Sequence, residues 1–139
     1  NQLHENVILT PHPAEMARLC GETVDAILSD PIGTARHYAK QWNCVVLLKG
    51  ATTCISDGAR VCLNTTGNPG LAKGGSGDVL SGIITALLAH GLCAFDAACA
   101  GAFLLGASAD TALELLNTRM LMARDVIDAV ERTMASYFS

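Results

Sequence analysis

Between Asn68 and Asp78 the chain reads Asn68-Pro69-Gly70-Leu71-Ala72-Lys73-Gly74-Gly75-Ser76-Gly77-Asp78, and an apolar helical run from about Val79 to His90 follows. Gly70, Gly74, Gly75 and Gly77 let backbone N–H groups turn outward with no Cβ in the way. A helix start adds unpaired N–H groups and partial positive charge. Loop and helix together predict an anion site suited to phosphate, with the N–H groups of Gly74, Gly75, Ser76 and Gly77 facing it. Asp78, in the first helical turn, would then stand beside a phosphate, where a carboxylate is useful as a base or through a cation. The same string also suits a plain turn whose acid favours the helix dipole.

Composition decides what surrounds this loop. The 139 residues are half apolar and 16% charged, with net charge −4. That is enough chain for one core-rich domain. The mild acidic balance gives no electrostatic reason to expect nucleic acid. No uncharged apolar run is long enough to span a bilayer, so no membrane partner is expected. The six cysteines, Cys20, Cys44, Cys54, Cys62, Cys93 and Cys99, form no C-x-x-C pair, and the four histidines lack ligand spacing. No metal centre of protein ligands is therefore expected. Reduced buried thiols and the lack of a basic leader point to the cytoplasm.

Taken in order, Val7-Ile8-Leu9 suits a buried strand. Thr10-Pro11-His12-Pro13-Ala14-Glu15 ends it, with Pro13 opening a helix to about Cys20 and Gly21 stopping it. His12 thus falls at a strand-to-helix junction, where open parallel sheets place ligands; a capping role is the alternative. Glu22 to Leu28 can form a short helix, and Asp30-Pro31 starts another to about Trp42, with Ala35, Tyr38, Ala39 and Trp42 on one face. Cys44 to Leu48 is apolar throughout and predicts a strand buried on both faces. Lys49-Gly50 follows directly, well placed to meet a nucleotide phosphate or ribose; a solvated lysine at a strand end is the alternative. Asp57-Gly58, between Thr52–Ser56 and Arg60–Asn64, signals a hairpin turn. Beyond the loop, helices are expected from Val79 to His90, from Asp96 to about Leu116, and from Asp125 with Val126, Ile127, Val130, Met134 and Phe138 as its packed stripe. Asp110 inside the second of these reads as an exposed or capped surface acid, and Lys73 as a solvated loop lysine, with a phosphate contact as its alternative. The class is α/β, a partly parallel sheet covered by helices. So much helix for about four strands suggests the second part of a larger domain.

Four stretches together resemble one family: Thr10-Pro11-His12-Pro13-Ala14-Glu15-Met16, Lys49-Gly50-Ala51-Thr52-Thr53, Asn68-Pro69-Gly70-Leu71-Ala72, and Gly74-Gly75-Ser76-Gly77-Asp78-Val79-Leu80-Ser81-Gly82. They are similar to the ADP/ATP-dependent NAD(P)H-hydrate dehydratases of the ribokinase-like superfamily, over about Val7 to Ala129. The resemblance implies repair of a damaged cofactor. A nucleotide phosphorylates the ring hydroxyl of NADH hydrate or NADPH hydrate, and loss of phosphate restores NAD(P)H. It implies Asp78 as catalytic acid–base and substrate contact. It implies His12 and Asn68 at the substrate, and Lys49, Gly50, Ala51, Thr52 and Thr53 with Gly77 along the adenine nucleotide. ATP or ADP is the implied co-substrate, with Mg2+ on its phosphates. A homo-oligomer and an NAD(P)H-hydrate epimerase domain fused upstream are further expectations of the resemblance.

Two departures qualify it. Ala14 stands where the family has glycine, which is tolerable if φ is negative there. The chain is also shorter than the family domain and lacks a D-A-D-A-L-like segment before Val7. It therefore resembles the C-terminal part of a single three-layer domain, residues 1–139, weakly active or inactive alone. The competing readings are a ribokinase-like small-molecule kinase acting on a vitamin precursor or sugar, and a nucleotide-binding module without catalysis.

Overall fold

The computed structural model describes residues 3–114 and 116–138. Two compact units emerge, one of the residues up to Asn64 with Leu92–Cys99, the other of Thr65–Gly91 with the residues from Ala100 on.

In the first unit, β1 (Ile8–Leu9) leads into α1 (Pro13–Cys20), α2 (Val24–Ser29) and α3 (Pro31–Trp42), followed by β2 (Val45–Leu48), β3 (Thr53–Ser56) and β4 (Val61–Asn64). The strands lie in the order β1-β2-β3-β4, with β1 parallel to β2 and the rest antiparallel. The expected partly parallel sheet is present. β2 is buried at every position, as its unbroken apolar run requires. β1 differs from expectation: Val7, Ile8 and Leu9 are half-buried, because β1 is an edge of this sheet.

Local chemistry sets the helix ends. Gly21 closes α1 in the left-handed conformation, φ +76°, its N–H bonded to Ala17 O. Asp30 caps α3, its Oδ1 accepting from Gly33 N–H at 2.8 Å. Thr23 caps α2, which therefore begins two residues later than the sequence suggests. Met16, Ile27, Ala35, Tyr38, Ala39, Val46, Leu48 and Cys54 form the core, with Trp42 packed at its margin. Burial raises the thiols of Cys44 and Cys54.

The hairpin has a four-residue loop, 57–60, since Ser56 pairs with Val61. Asp57 Oδ1 accepts from Ala59 and Arg60 N–H at 3.0 and 2.7 Å, and Oδ2 from Arg60 Nε at 2.8 Å. A two-residue turn would forgo these bonds. Burial alone would raise the Asp57 pKa; the Arg60 and Ala59 hydrogen bonds outweigh it and lower it.

The second unit holds a 3-10 turn (Pro69–Ala72), α4 (Ser76–Ala89), most of α5 (Ala94–Ala112), and α6 (Ala123–Phe138). α5 and α6 both begin two residues before their expected starts. The α6 stripe is rotated from expectation. Val126, Ala129 and Thr133 are buried, whereas Ile127 is 55% and Met134 44% exposed. A buried threonine is tolerated because its Oγ1 donates to Ala129 O at 2.9 Å and meets Thr111 Oγ1 at 3.0 Å. The expected end of the stripe, the Phe138 side chain, lies outside the described residues. Among the described residues no helix is long and apolar enough to cross a membrane.

Candidate active site

The sequence-predicted residues form two clusters, one in each unit. In the first, His12 is the N-cap of α1. Its Nδ1 accepts from Glu15 N–H at 3.2 Å, and Glu15 Oε2 accepts from His12 N–H at 2.8 Å, a reciprocal capping box. With Nδ1 as acceptor, the neutral ring carries its proton on Nε2, which faces Glu15 Oε1 at 3.2 Å. Lys49 Nζ lies 3.9 Å from Glu15 Oε2. Lys49 N–H donates to Pro11 O at 2.9 Å, which joins the carboxyl ends of β1 and β2. Glu15 thus gathers His12 and Lys49. Its carboxyl is held below its ordinary pKa, chiefly by the His12 N–H bond, which outweighs the opposing effect of burial, with the charges of Lys49 and Arg18 adding to it. Gly50, Ala51 and Thr52 are exposed, and Thr53 starts β3 half-buried. An open concavity of about 420 Å³ lies alongside, lined by Leu9, Thr10, Pro11, Glu15, Arg18 and Leu19. Ala14 falls inside α1, and Asn43 is the one described non-glycine residue with positive φ, so the departure from glycine brings no strain.

In the second unit, Gly75 is the N-cap of α4 at φ +95°, and no side chain caps the helix. Asp78 N–H already donates to Gly75 O at 3.1 Å, so the N–H groups of Ser76 and Gly77 are the ones left for a ligand or water. Gly74 is open, with nothing within 4 Å of where a Cβ would stand. Gly75 is closed on one side, its Cβ position lying 3.1 Å from Ala123 Cβ. Ser76 and Gly77 are half-buried, and Asp78 is exposed in the first turn. This is an uncapped helix start, an open glycine approach and one free carboxylate, the elements of an anion site with a base beside it.

Asn68 has a different engagement. Its Oδ1 accepts from Gly70 N–H at 3.0 Å, capping the 3-10 turn, and its Nδ2 donates to Asp110 Oδ1 at 2.8 Å. Lys73 is exposed, as a loop lysine is expected to be, but its ammonium is engaged by the chain. Its Nζ donates to Arg119 O and, at 3.0 Å, to Leu121 O. Glu15, Lys73 and Asp110 are thus the residues whose part sequence reasoning missed. The signal for Asp110 was an acid late in a helix that, after Asp96, is built of small, apolar and hydroxyl residues.

A family model described as NAD(P)H-hydrate dehydratase matches residues 1–132. The chain belongs to that family. It is 50% identical over 127 residues to the bifunctional NAD(P)H-hydrate repair enzyme Nnr of Moorella thermoacetica, covering 90% of this chain and 24% of that one. It is 50% identical over 111 residues to the ADP-dependent (S)-NAD(P)H-hydrate dehydratase of Neisseria meningitidis, covering 79% and 38%. The Bacillus subtilis ADP/ATP-dependent NAD(P)H-hydrate dehydratase, co-crystallized with ATP/Mg2+, superposes with TM-score 0.89 at 34% identity over 94% of this chain and 47% of that one. A ribokinase-like superfamily protein of Enterococcus faecalis superposes with TM-score 0.80 at 27% identity, over 99% and 47%. The fold is therefore ribokinase-like. The chain spans a quarter to two-fifths of the relatives it matches and about half of the solved chains.

Proposed function

We propose that this chain is the C-terminal part of one dehydratase domain, carrying its nucleotide site and catalytic acid–base. The observation that carries the reading is Asp78, exposed in the first turn of an uncapped helix behind an open glycine loop. In this reading the Asp78 carboxylate takes the proton of the hydrate's ring hydroxyl. The hydroxyl oxygen attacks the terminal phosphorus of ADP or ATP, and the bond from phosphorus to the bridging oxygen breaks. The N–H groups of Gly74 to Gly77 hold charge developing on the transferring group. Phosphate then leaves the ring carbon, which hydroxide could not do readily, and loss of a proton from the neighbouring carbon restores the double bond of NADH or NADPH. Magnesium supplied with the nucleotide would offset phosphate charge beside the open approach at Gly74. The clear space around Gly74 fits such a metal-bound polyphosphate.

His12 at the substrate, and Lys49 to Thr53 along the nucleotide, complete the proposal. In the first unit, Lys49 directly follows a buried strand beside the close of a parallel neighbour, where α/β sheets bind ligands. Asn68 acts at the substrate through the loop it holds, since its side-chain amide is committed to Gly70 and Asp110. We extend the reading to a cytoplasmic, self-associating whole protein, bifunctional as the name of the Moorella relative states for that protein.

The test is recovery of reduced-nicotinamide absorbance from NADH hydrate, with ADP or ATP and magnesium. The 139-residue chain, an N-terminally extended form and Asp78→Ala are compared. Nucleotide-dependent recovery by the extended form, weak in the short chain and lost in the variant, is expected. A stable phosphoester accumulating instead would make the protein a small-molecule kinase. Normal turnover by the short chain alone would remove the claim that it is an incomplete site.

A further inference from the structure

Two residues ahead of the glycine loop, Gly67 and Asn68, are held by one carboxylate that the proposed chemistry does not use. Asp110 lies near the end of α5, directly after the buried residues Ala107, Ser108 and Ala109. Its Oδ2 accepts from Gly67 N–H at 2.9 Å and its Oδ1 from Asn68 Nδ2 at 2.8 Å. Asn68 Oδ1 in turn accepts from Gly70 N–H at 3.0 Å. A hydrogen-bonded relay therefore runs from α5 through one amide into the 3-10 turn that leads to Gly74. Donor and acceptor are assigned at every point of it. Asn68 must present its oxygen to Gly70 and its NH2 to residue 110, so residue 110 must accept twice. Only a carboxylate does that without a lone donor facing another donor.

Gly67 makes the junction tight. Its φ is +103°, and a Cβ there would lie 3.1 Å from Leu71 Cδ1 and 3.3 Å from Gly106 Cα. At the far end Lys73 is held by Arg119 O and Leu121 O. The segment between has both ends pinned, and the open loop begins where the pinning stops.

We infer that Asp110 is a positioning residue for the anion loop: through Gly67 and Asn68 it fixes the path of Asn68–Lys73, and so the aim of the Gly74–Gly77 N–H groups and of Asp78. This rests on the phosphoryl-transfer reading given above.

The test is a donor–acceptor exchange in the N-terminally extended protein. Asp110→Asn places an NH2 against the NH2 of Asn68 or, with the amide flipped, against the N–H of Gly67. It is expected to lower kcat for NADH recovery about 30-fold, with KM for the nucleotide changed less than about threefold, as misaimed groups affect reaction more than binding. Asn68→Asp with Asp110→Asn restores the pairing with the charge on the other residue, and should return kcat to within about fivefold of the parent. A merely structural role would lower thermal stability in the single variant with kcat per folded molecule unchanged, and that result overturns the inference. So does a double variant no faster than the single one. Amide exchange in the unaltered protein gives a readout free of folding defects. Gly67 and Gly70 N–H should exchange at least about 100-fold more slowly than Gly74 N–H, and equal rates overturn the inference. If the unaltered protein recovers no NADH, the functional reading fails instead. The relay is then decided by that exchange ratio and by its collapse in Asp110→Asn.

Discussion

The two clusters of candidate residues are built in opposite ways. Around Glu15 the groups that could meet a ligand already meet one another: both nitrogens of His12 face Glu15, and Lys49 approaches the same carboxylate. Around Gly75 no side chain caps the helix start, Gly74 is open and Asp78 is exposed; Gly75 O accepts only from the backbone N–H groups of Asp78 and Val79 among the described residues. Its order comes from behind, through Asp110 and Lys73. The first cluster is arranged by its own charges. The second is arranged by residues that take no part in what it would bind. A site that must accept a polyphosphate keeps its donors unspent, and rigidity has to be supplied from elsewhere.

Replacing Asp78 would break the open cluster most severely. Asp78→Ala should lower NADH recovery by about 10²–10⁴-fold while nucleotide binding, followed by titration calorimetry, stays within a few fold. Next is the backing of the loop. A Cβ on Gly106 would stand 2.2 Å from Thr66 Oγ1 and 2.6 Å from the Thr66 carbonyl carbon and oxygen. Gly106→Ala gains about 1 kcal/mol of helix propensity. It loses about 3 kcal/mol to a clash with backbone that cannot yield. The net is about 2 kcal/mol of destabilisation in denaturant unfolding, where the same change at an open helix position would stabilise.

The self-paired cluster should respond more weakly. Its pairs are exposed, so Glu15→Gln is expected to alter nucleotide affinity by about fivefold or less. A larger loss would mean that Glu15 touches ligand, and would erase the contrast. The smallest effect is one of pH. The folded-state pKa of Glu15 lies below its ordinary value of 4.5. Its contribution to α1 is therefore complete above 4.5 and is lost as pH falls through the lowered value. A carbon-13 titration of the Glu15 carboxyl should show that lowered midpoint, and Glu15→Gln should flatten the acid limb of the stability curve. A midpoint at or above 4.5 would show that the capping box does not hold in solution.

Much of this architecture was legible before the structure. The unbroken apolar run of β2, Asp30-Pro31 before α3 and Gly21 after α1 each name their element, because a single local rule decides each one. The glycine loop was legible for the same reason. Less legible was anything decided by a distant partner. The stripe of α6 could be read two ways, since Thr133 is polar until Thr111 answers it. The hairpin turn lengthened because Asp57 could satisfy Ala59 and Arg60 as well. Lys73 looked free because its acceptors are carbonyls nearly fifty residues away. His12 is a cap and a candidate contact at once, and only the ring geometry gives it the first role.

One consequence of α5 concerns length. Thr66 donates to Phe103 O at 3.0 Å and crowds Gly106, and Gly67 and Asn68 meet Asp110. These stations fall at intervals of three and four residues, one above another along the helix, so α5 serves as a ruler against which the incoming chain is laid. A ruler tolerates a change of material but not of graduation. A single residue inserted or deleted between Phe103 and Asp110 would rotate the last mark by about 100° and shift it about 1.5 Å. An altered residue count in this stretch would therefore separate the loop from its support even with every side chain retained.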